Sequence, residues 1–168
     1  MIFRVNGIMN HSIVDGPGLR LAVFVQGCSH ACPGCHNPET HDPMGGREMD
    51  TDEVAKLLSE NPILDGLTLS GGEPFEQAEA CLVMAKDAKS RGLNVWIYSG
   101  YVYEALRKKA DKAVSGLLDT CDVLVDGPFV LSQRSLDLDF RGSRNQRLVD
   151  LKKSKEAGEA RLWQRPEW

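Results

Sequence analysis

Leu19-Arg20-Leu21-Ala22-Val23-Phe24-Val25-Gln26 runs directly into Gly27-Cys28-Ser29-His30-Ala31-Cys32-Pro33-Gly34-Cys35. The first half is apolar and rich in β-branched side chains, the composition of a buried strand. The second half carries cysteines at C-x3-C-x2-C spacing. Thiolates on one tight loop can face one centre, because the thiolate is the metal-binding form. Gly27 and Gly34 free the loop from side-chain clashes, and Pro33 restricts it. A chemically equipped loop thus follows the C-terminal end of a strand, where open α/β sheets place their functional residues.

The same arrangement recurs downstream. Leu64 to Ser70 reads as a second strand running into Gly71-Gly72-Glu73-Pro74, Leu93 to Ser99 as a third ending at Gly100, and Cys121 to Val125 as a fourth ending at Asp126-Gly127-Pro128. Helical patterns separate them. One opens at Thr51-Asp52-Glu53 with Asp50 or Thr51 as N-cap and Val54, Leu57 and Leu58 on one face. Another covers about 76–91, with Ala78, Cys81, Leu82, Ala85 and Ala88 inward and Gly92 as its stop. A third covers 102–118, with Val102, Leu106, Ala110 and Val114 aligned. Strands alternating with helices predict an α/β fold with a mainly parallel sheet and right-handed crossovers. Four such units are too few for a closed eight-stranded barrel, which needs about 200 residues or more, so an open partial barrel is expected. Cys28, Gly71, Gly100 and Asp126 then converge on one rim. Residues 27–49 lack periodicity, and so long a loop in a compact domain is usually functional or disordered. The expected organisation is a single domain over 1–151, followed by a charged tail, 152–168, helical or loose.

A chain of 168 residues with 42% hydrophobic and 26% charged residues is long enough to build its own core without disulfides. Its net charge of −4 gives no attraction to a nucleic-acid backbone or an anionic membrane. Arg107-Lys108-Lys109 and Lys152-Lys153 read as solvated surface. No stretch approaches the roughly 20 apolar residues of a membrane span. Met1 to Asn10 shows no charged region followed by a long apolar core, so no signal peptide is expected and the cytoplasm is the expected compartment. Thiols stay reduced there, and the five cysteines are then read as metal or redox chemistry.

Cys28, Cys32 and Cys35 are the candidate metal ligands. A structural zinc site needs four protein ligands, and His30, His36 and His41 keep a Cys3His zinc set in play. An electron-carrying 4Fe–4S cluster needs four cysteines. Cys81 lies on a helix core face and Cys121 starts or sits inside a strand, both reading as buried free thiols. A cluster held by three cysteines leaves one iron open to substrate or cofactor. Gly71-Gly72-Glu73-Pro74 supplies a turn whose glycines allow close backbone approach, and whose carbonyls or carboxylate can accept from a cation.

The cysteine spacing after a first strand and the glycine turn after a second together resemble the radical S-adenosylmethionine (SAM) superfamily. Asp15-Gly16-Pro17-Gly18-Leu19-Arg20 and Cys35-His36-Asn37-Pro38-Glu39-Thr40 narrow the resemblance to the glycyl-radical-enzyme activases. Gly34, Trp96-Ile97-Tyr98-Ser99-Gly100-Tyr101, Val125-Asp126-Gly127-Pro128-Phe129-Val130 and Arg141-Gly142-Ser143-Arg144-Asn145-Gln146-Arg147 shift it further. They point to the activases of anaerobic ribonucleoside-triphosphate reductase, over roughly 7–151. The resemblance implies a 4Fe–4S cluster on Cys28, Cys32 and Cys35 with SAM on the open iron. Gly34, Cys35 and His36 would lie against SAM, with His36 the candidate for stacking adenine. Gly71, Gly72 and Glu73 would hold its methionine end, so Gly72→Val is expected to keep iron and bind SAM at least about tenfold more weakly. The implied reaction is reductive cleavage of SAM to methionine and a 5′-deoxyadenosyl radical, which takes a hydrogen atom from a glycine of the reductase. The implied electron donor is a flavodoxin-like reductant. The cofactor carries this chemistry, so no acid–base catalytic side chain is expected.

Other readings are an activase of the pyruvate formate-lyase type, a small-molecule enzyme like 7-carboxy-7-deazaguanine synthase, and a noncatalytic cluster- or zinc-binding module. Asp15 and Arg20 are expected to form an ion pair around the Gly-Pro-Gly turn. Asn145 and Gln146 are open between docking a partner and capping the sheet, and His11 reads as surface.

Overall fold

The computed structural model describes residues 1–166. Its strands are β1 (Ile2–Ser12), β2 (Arg20–Val25), β3 (Arg47–Asp50), β4 (Gly66–Gly71), β5 (Asn94–Tyr98), β6 (Val123–Asp126) and β7 (Arg147–Asp150). They form one sheet in the order β3-β1-β2-β4-β5-β6-β7. The central strands β2, β4, β5 and β6 are parallel, whereas β1 and β3 on one side and β7 on the other run antiparallel to their neighbours. The expected open α/β sheet is present, with an antiparallel flank on each side that the strand–helix alternation does not announce.

The helices are α1 (Thr51–Glu60), α2 (Ala78–Ser90), α3 (Tyr103–Lys108), α4 (Lys112–Thr120) and α5 (Leu151–Ala157). Aspartates start three of them. Asp50 accepts from the Asp52 amide, Asp111 from the Ala113 and Val114 amides, and Asp150 from the Lys153 amide. Asp111 also explains why the expected single helix over 102–118 is two. Lys109 is extended, and Asp111 begins a new helix by capping it. Pro74 opens a single 3-10 turn, Pro74–Gln77, so the helix expected from residue 76 starts at Ala78.

Strand side chains alternate between two environments. Leu21, Val23 and Val25 of β2, Leu67 and Leu69 of β4, Val95 and Ile97 of β5 and Leu124 of β6 belong to the main core. There they meet Val54, Cys81, Met84, Leu106 and Leu117 from the helices. On the opposite face Trp96, Val123 and Val125 form a second cluster with Tyr98, Phe140, Leu148 and Trp163. The indole of Trp163 packs edge-on against Trp96 at 5.0 Å, and Phe140 does the same at 5.1 Å. The segment following β7 is thus fastened to the sheet. The Trp163 amide donates to the Leu148 carbonyl, and Asp150 donates to Arg161. The last two residues of the expected tail, 167 and 168, lie outside the described residues.

Arg20 crosses this second face fully buried. The expected ion pair with Asp15 is absent: Arg20 donates to Thr68 Oγ1, Pro17 O and Leu67 O, and lies 5.8 Å from the Trp96 ring centre. Asp15 instead accepts from Ser12 Oγ. Burial lowers Arg20 to about 10, so it remains a cation at neutral pH. Arg20→Ala strips donors from two carbonyls and is expected to lower the unfolding free energy by about 3 kcal/mol, read as a shift in urea midpoint. His11 is exposed, as expected.

Candidate active site: the cysteine loop and the glycine turn

Parallel pairing of β2 with β4 sets Val25 beside Gly71, so the loops that follow these strands leave the sheet side by side. Their backbones then bond directly. The Gly72 amide donates to Val25 O at 2.8 Å, and the Glu73 amide donates to Gly27 O at 2.8 Å. Gly71 has φ +92°, a conformation that favours glycine. A Cβ at Gly72 would stand 2.4 Å from the Gly27 carbonyl oxygen. Both glycines are required by the approach of one loop to the other.

The long loop is held by polar side chains that periodicity does not reveal. Buried Gln26 donates from Nε2 to Glu39 O at 2.8 Å and to Asp42 O at 2.7 Å. The Gly27 amide reaches Thr40 O, and the Cys28 amide reaches His41 O. Gln77 donates to Arg4 O and Gln26 O, joining β1 to the loop. Glu76 accepts from the Ser29 amide at 2.8 Å.

Cys28, Cys32 and Cys35 are free thiols, each half-buried on this loop. Cys35 accepts the Asn37 amide at 3.4 Å. Burial pushes the Cys28 thiol up to about 11, with Glu73 and Glu76 adding to the effect against the His30 amide. A metal centre is the dominant local charge at such a site and holds the thiolate form. Cys81 and Cys121 are buried in the helix-side core, and burial pushes their thiols far up. The donor set is therefore three local cysteines, which fits a cluster with one iron left for another ligand. Among the described residues no three of His, Cys, Asp and Glu, the loop cysteines included, already stand together as a group that could hold a single metal ion. His30 turns to Glu73, His36 packs edge-on against Phe129 at 5.0 Å, and His41 points its Nε2 inward without a partner.

The remaining site residues divide. Gly34 has φ +73° and lies against Leu131, where a Cβ would stand 2.8 Å from Leu131 Cδ1. A side chain at position 34 would have to displace the exposed end of Leu131, and the positive φ disfavours one whatever the space. Phe129 and Leu131, from the segment after β6, were not among the sequence candidates, yet they form the wall beside Gly34 and His36. Glu73 is fully buried, and its carboxylate is taken up within the protein. Oε1 accepts from His30 Nε2, Ser99 Oγ and the Gly100 amide, and Oε2 accepts from the Phe75 amide. The hydrogen bond to Glu73 raises His30 above the ordinary histidine value. Gln146 accepts from the Gly142 and Ser143 amides and donates to Gly127 O, while Asn145 donates to Pro128 O. Both shape the loop after β6.

The model of the family described as 4Fe-4S single cluster domain matches residues 14–149. The anaerobic ribonucleoside-triphosphate reductase-activating protein of Vibrio cholerae is 37% identical over 142 residues, covering 80% of this chain and 89% of that one. The chain belongs to this family of activating proteins. The Escherichia coli K12 member is 35% identical with 80% and 90% coverage. The pyruvate formate-lyase-activating enzyme of Clostridium pasteurianum is 39% identical over 133 residues, which span 74% of this chain and 55% of that enzyme. Among solved structures, QueE from Escherichia coli is similar with 12% identity and a TM-score of 0.49, over 75% of this chain and 70% of that one. Family membership brings a 4Fe–4S cluster and SAM, and Cys28, Cys32 and Cys35 are present in the matched region. No described helix is long and apolar enough to cross a membrane.

Proposed function

We propose that this protein is a radical SAM activase that installs a glycyl radical in an anaerobic ribonucleotide reductase. The observation that carries the reading is the three-cysteine loop set against the Gly71-Gly72 turn, in a chain that matches nearly the full length of a reductase-activating protein. When bound and reduced by one electron, cluster and SAM supply a 5′-deoxyadenosyl radical. The chain's own residues position and enclose. Cys28, Cys32 and Cys35 hold iron, and the backbone of Gly71 and Gly72 lies where the methionine end of SAM is held. Gly34, Cys35 and His36 line the adenine side, with Phe129 beside His36. No acid–base pair is needed, since a hydrogen atom and not a proton moves. A flavodoxin-like protein is the proposed electron donor, in the cytoplasm, where five free cysteines persist.

The test is anaerobic reconstitution with iron and sulfide, followed by SAM, a one-electron reductant and the reductase. The expected result is 5′-deoxyadenosine formed with a glycyl-radical signal on the reductase by electron paramagnetic resonance. SAM cleavage with a signal on pyruvate formate-lyase and none on the reductase would move the assignment to the other activase type, which the Clostridium pasteurianum relative favours. Stoichiometric zinc with no iron uptake would remove the enzyme reading.

A further inference from the structure

Glu73 lies in the glycine turn and His30 between the first two cysteines, 43 positions apart, yet His30 Nε2 stands 2.6 Å from Glu73 Oε1. The carboxylate is fully buried, while the imidazole is 16% exposed. A buried carboxylate is costly unless charge-assisted or well-placed donors surround it, and Glu73 has four. Three come from elements already fixed by the fold: Phe75 in the turn, and Ser99 and Gly100 at the end of β5. The fourth is His30, the one donor supplied by the cysteine loop.

His30 is also the last firm anchor on the loop before Cys32. Gly27, Cys28 and Ser29 are tied by Thr40 O, His41 O and Glu76. After His30 the chain passes through Ala31 at φ +50°, a left-handed conformation that costs a non-glycine residue about 1 kcal/mol. Between Ala31 and Cys35, the hydrogen bond within the loop is Cys35 N to Cys32 O. The ring of His30 is seated by Tyr101, edge-on at 4.5 Å, and by Gly100, where a Cβ would stand 2.5 Å from His30 Cδ2. The glycine at position 100 therefore leaves room for the imidazole to reach the carboxylate.

We propose that His30 and Glu73 are positioning residues whose contact latches the cysteine loop onto the glycine turn. The latch sets the spacing between the iron and SAM subsites, so Glu73 serves SAM through His30 and not by touching it. The contact needs a donor at Nε2, which both the neutral Nε2–H tautomer and the imidazolium provide. The SAM half of this inference rests on the function proposed above; the loop half does not.

Two readouts separate them. In the iron-free protein, hydrogen exchange of amides in 28–36 is expected to quicken at least about tenfold in His30→Ala and in Gly100→Ala. Exchange in β4 and β5 stays unchanged. In the reconstituted protein, the same variants are expected to keep their iron and bind SAM about tenfold more weakly. His30→Gln, whose amide can still donate to Glu73, restores both to within about threefold. Gly100→Ala keeps imidazole and carboxylate but displaces one from the other, and it carries the test if His30→Ala does not fold. Unchanged loop exchange in a folded variant would overturn the latch, as would a glutamine variant no better than alanine. Absence of SAM binding by the iron-loaded parent protein would instead overturn the function proposed, with the exchange result still deciding the latch.

Discussion

Alanine at Cys28, Cys32 or Cys35 is expected to reduce iron content to background and to abolish SAM cleavage, while alanine at Cys81 or Cys121 leaves both intact. The difference is positional. Cys28, Cys32 and Cys35 share a half-exposed loop beyond the end of β2, seven positions from first to last. Cys81 has no exposed surface and Cys121 only 5%, both inside the core that joins α2 and α4 to the sheet. A thiol held neutral by burial is a packing group, and removing its sulfur costs about 1 kcal/mol of stability with no loss of iron. Iron analysis and electron paramagnetic resonance of the five variants decide the matter. An iron-free Cys81→Ala or Cys121→Ala that remains folded would mean a fourth protein ligand, leaving no open iron for SAM.

Gly72→Val should do more damage than a loss of SAM contact. The sequence suggests that a side chain there intrudes on methionine and spares the cluster. In the structure, the Cβ runs into backbone, 2.4 Å from Gly27 O and 2.9 Å from Gly27 C. Gly27 immediately precedes Cys28, so relief of this overlap moves the first iron ligand. The variant is therefore expected to lose iron together with SAM binding, and about 1–3 kcal/mol of stability. Gly7→Ala is the matched control, because nothing lies within 4 Å of its added Cβ. Iron content and thermal unfolding measured on both variants check the result. A folded Gly72→Val with full iron and weakened SAM binding would restore the simpler expectation.

The sequence is most readable where chemistry is local. The cysteine spacing, the glycine turn and the apolar strands before them all lie in short stretches, and each is where the alternation of strands and helices places it. β1 and β3 are less readable because pairing, not composition, defines them. β3 is Arg47-Glu48-Met49-Asp50, with Met49 its buried residue, and it is a strand because Ile2 to Val5 of β1 lies opposite. β1 itself alternates for only a few residues before register shifts interrupt the ladder. Asp111 is a break signal inside an otherwise helical pattern, and its capping role shows only when the chain turns there. At the site, Glu73 looks like a ligand for a cation in solvent when read from its motif. Strand order brings Ser99 and Gly100 to one side of it and His30 to the other, so its partners come from segments that no local pattern links. Phe129 and Leu131 escape for the same reason, since their contact with Gly34 and His36 depends on where the segment after β6 crosses the rim.

The perpendicular indoles of Trp96 and Trp163 give the molecule an optical property of its own. Two such chromophores with ring centres 5.0 Å apart, one in a central strand and the other beyond the last helix, have coupled electronic transitions. Their near-ultraviolet circular dichroism is therefore a reporter of whether the carboxyl-terminal segment is seated, at wavelengths distinct from the visible absorbance of an iron-sulfur cluster. Holding of that segment and loading of the cluster can be followed in one cuvette at separate wavelengths.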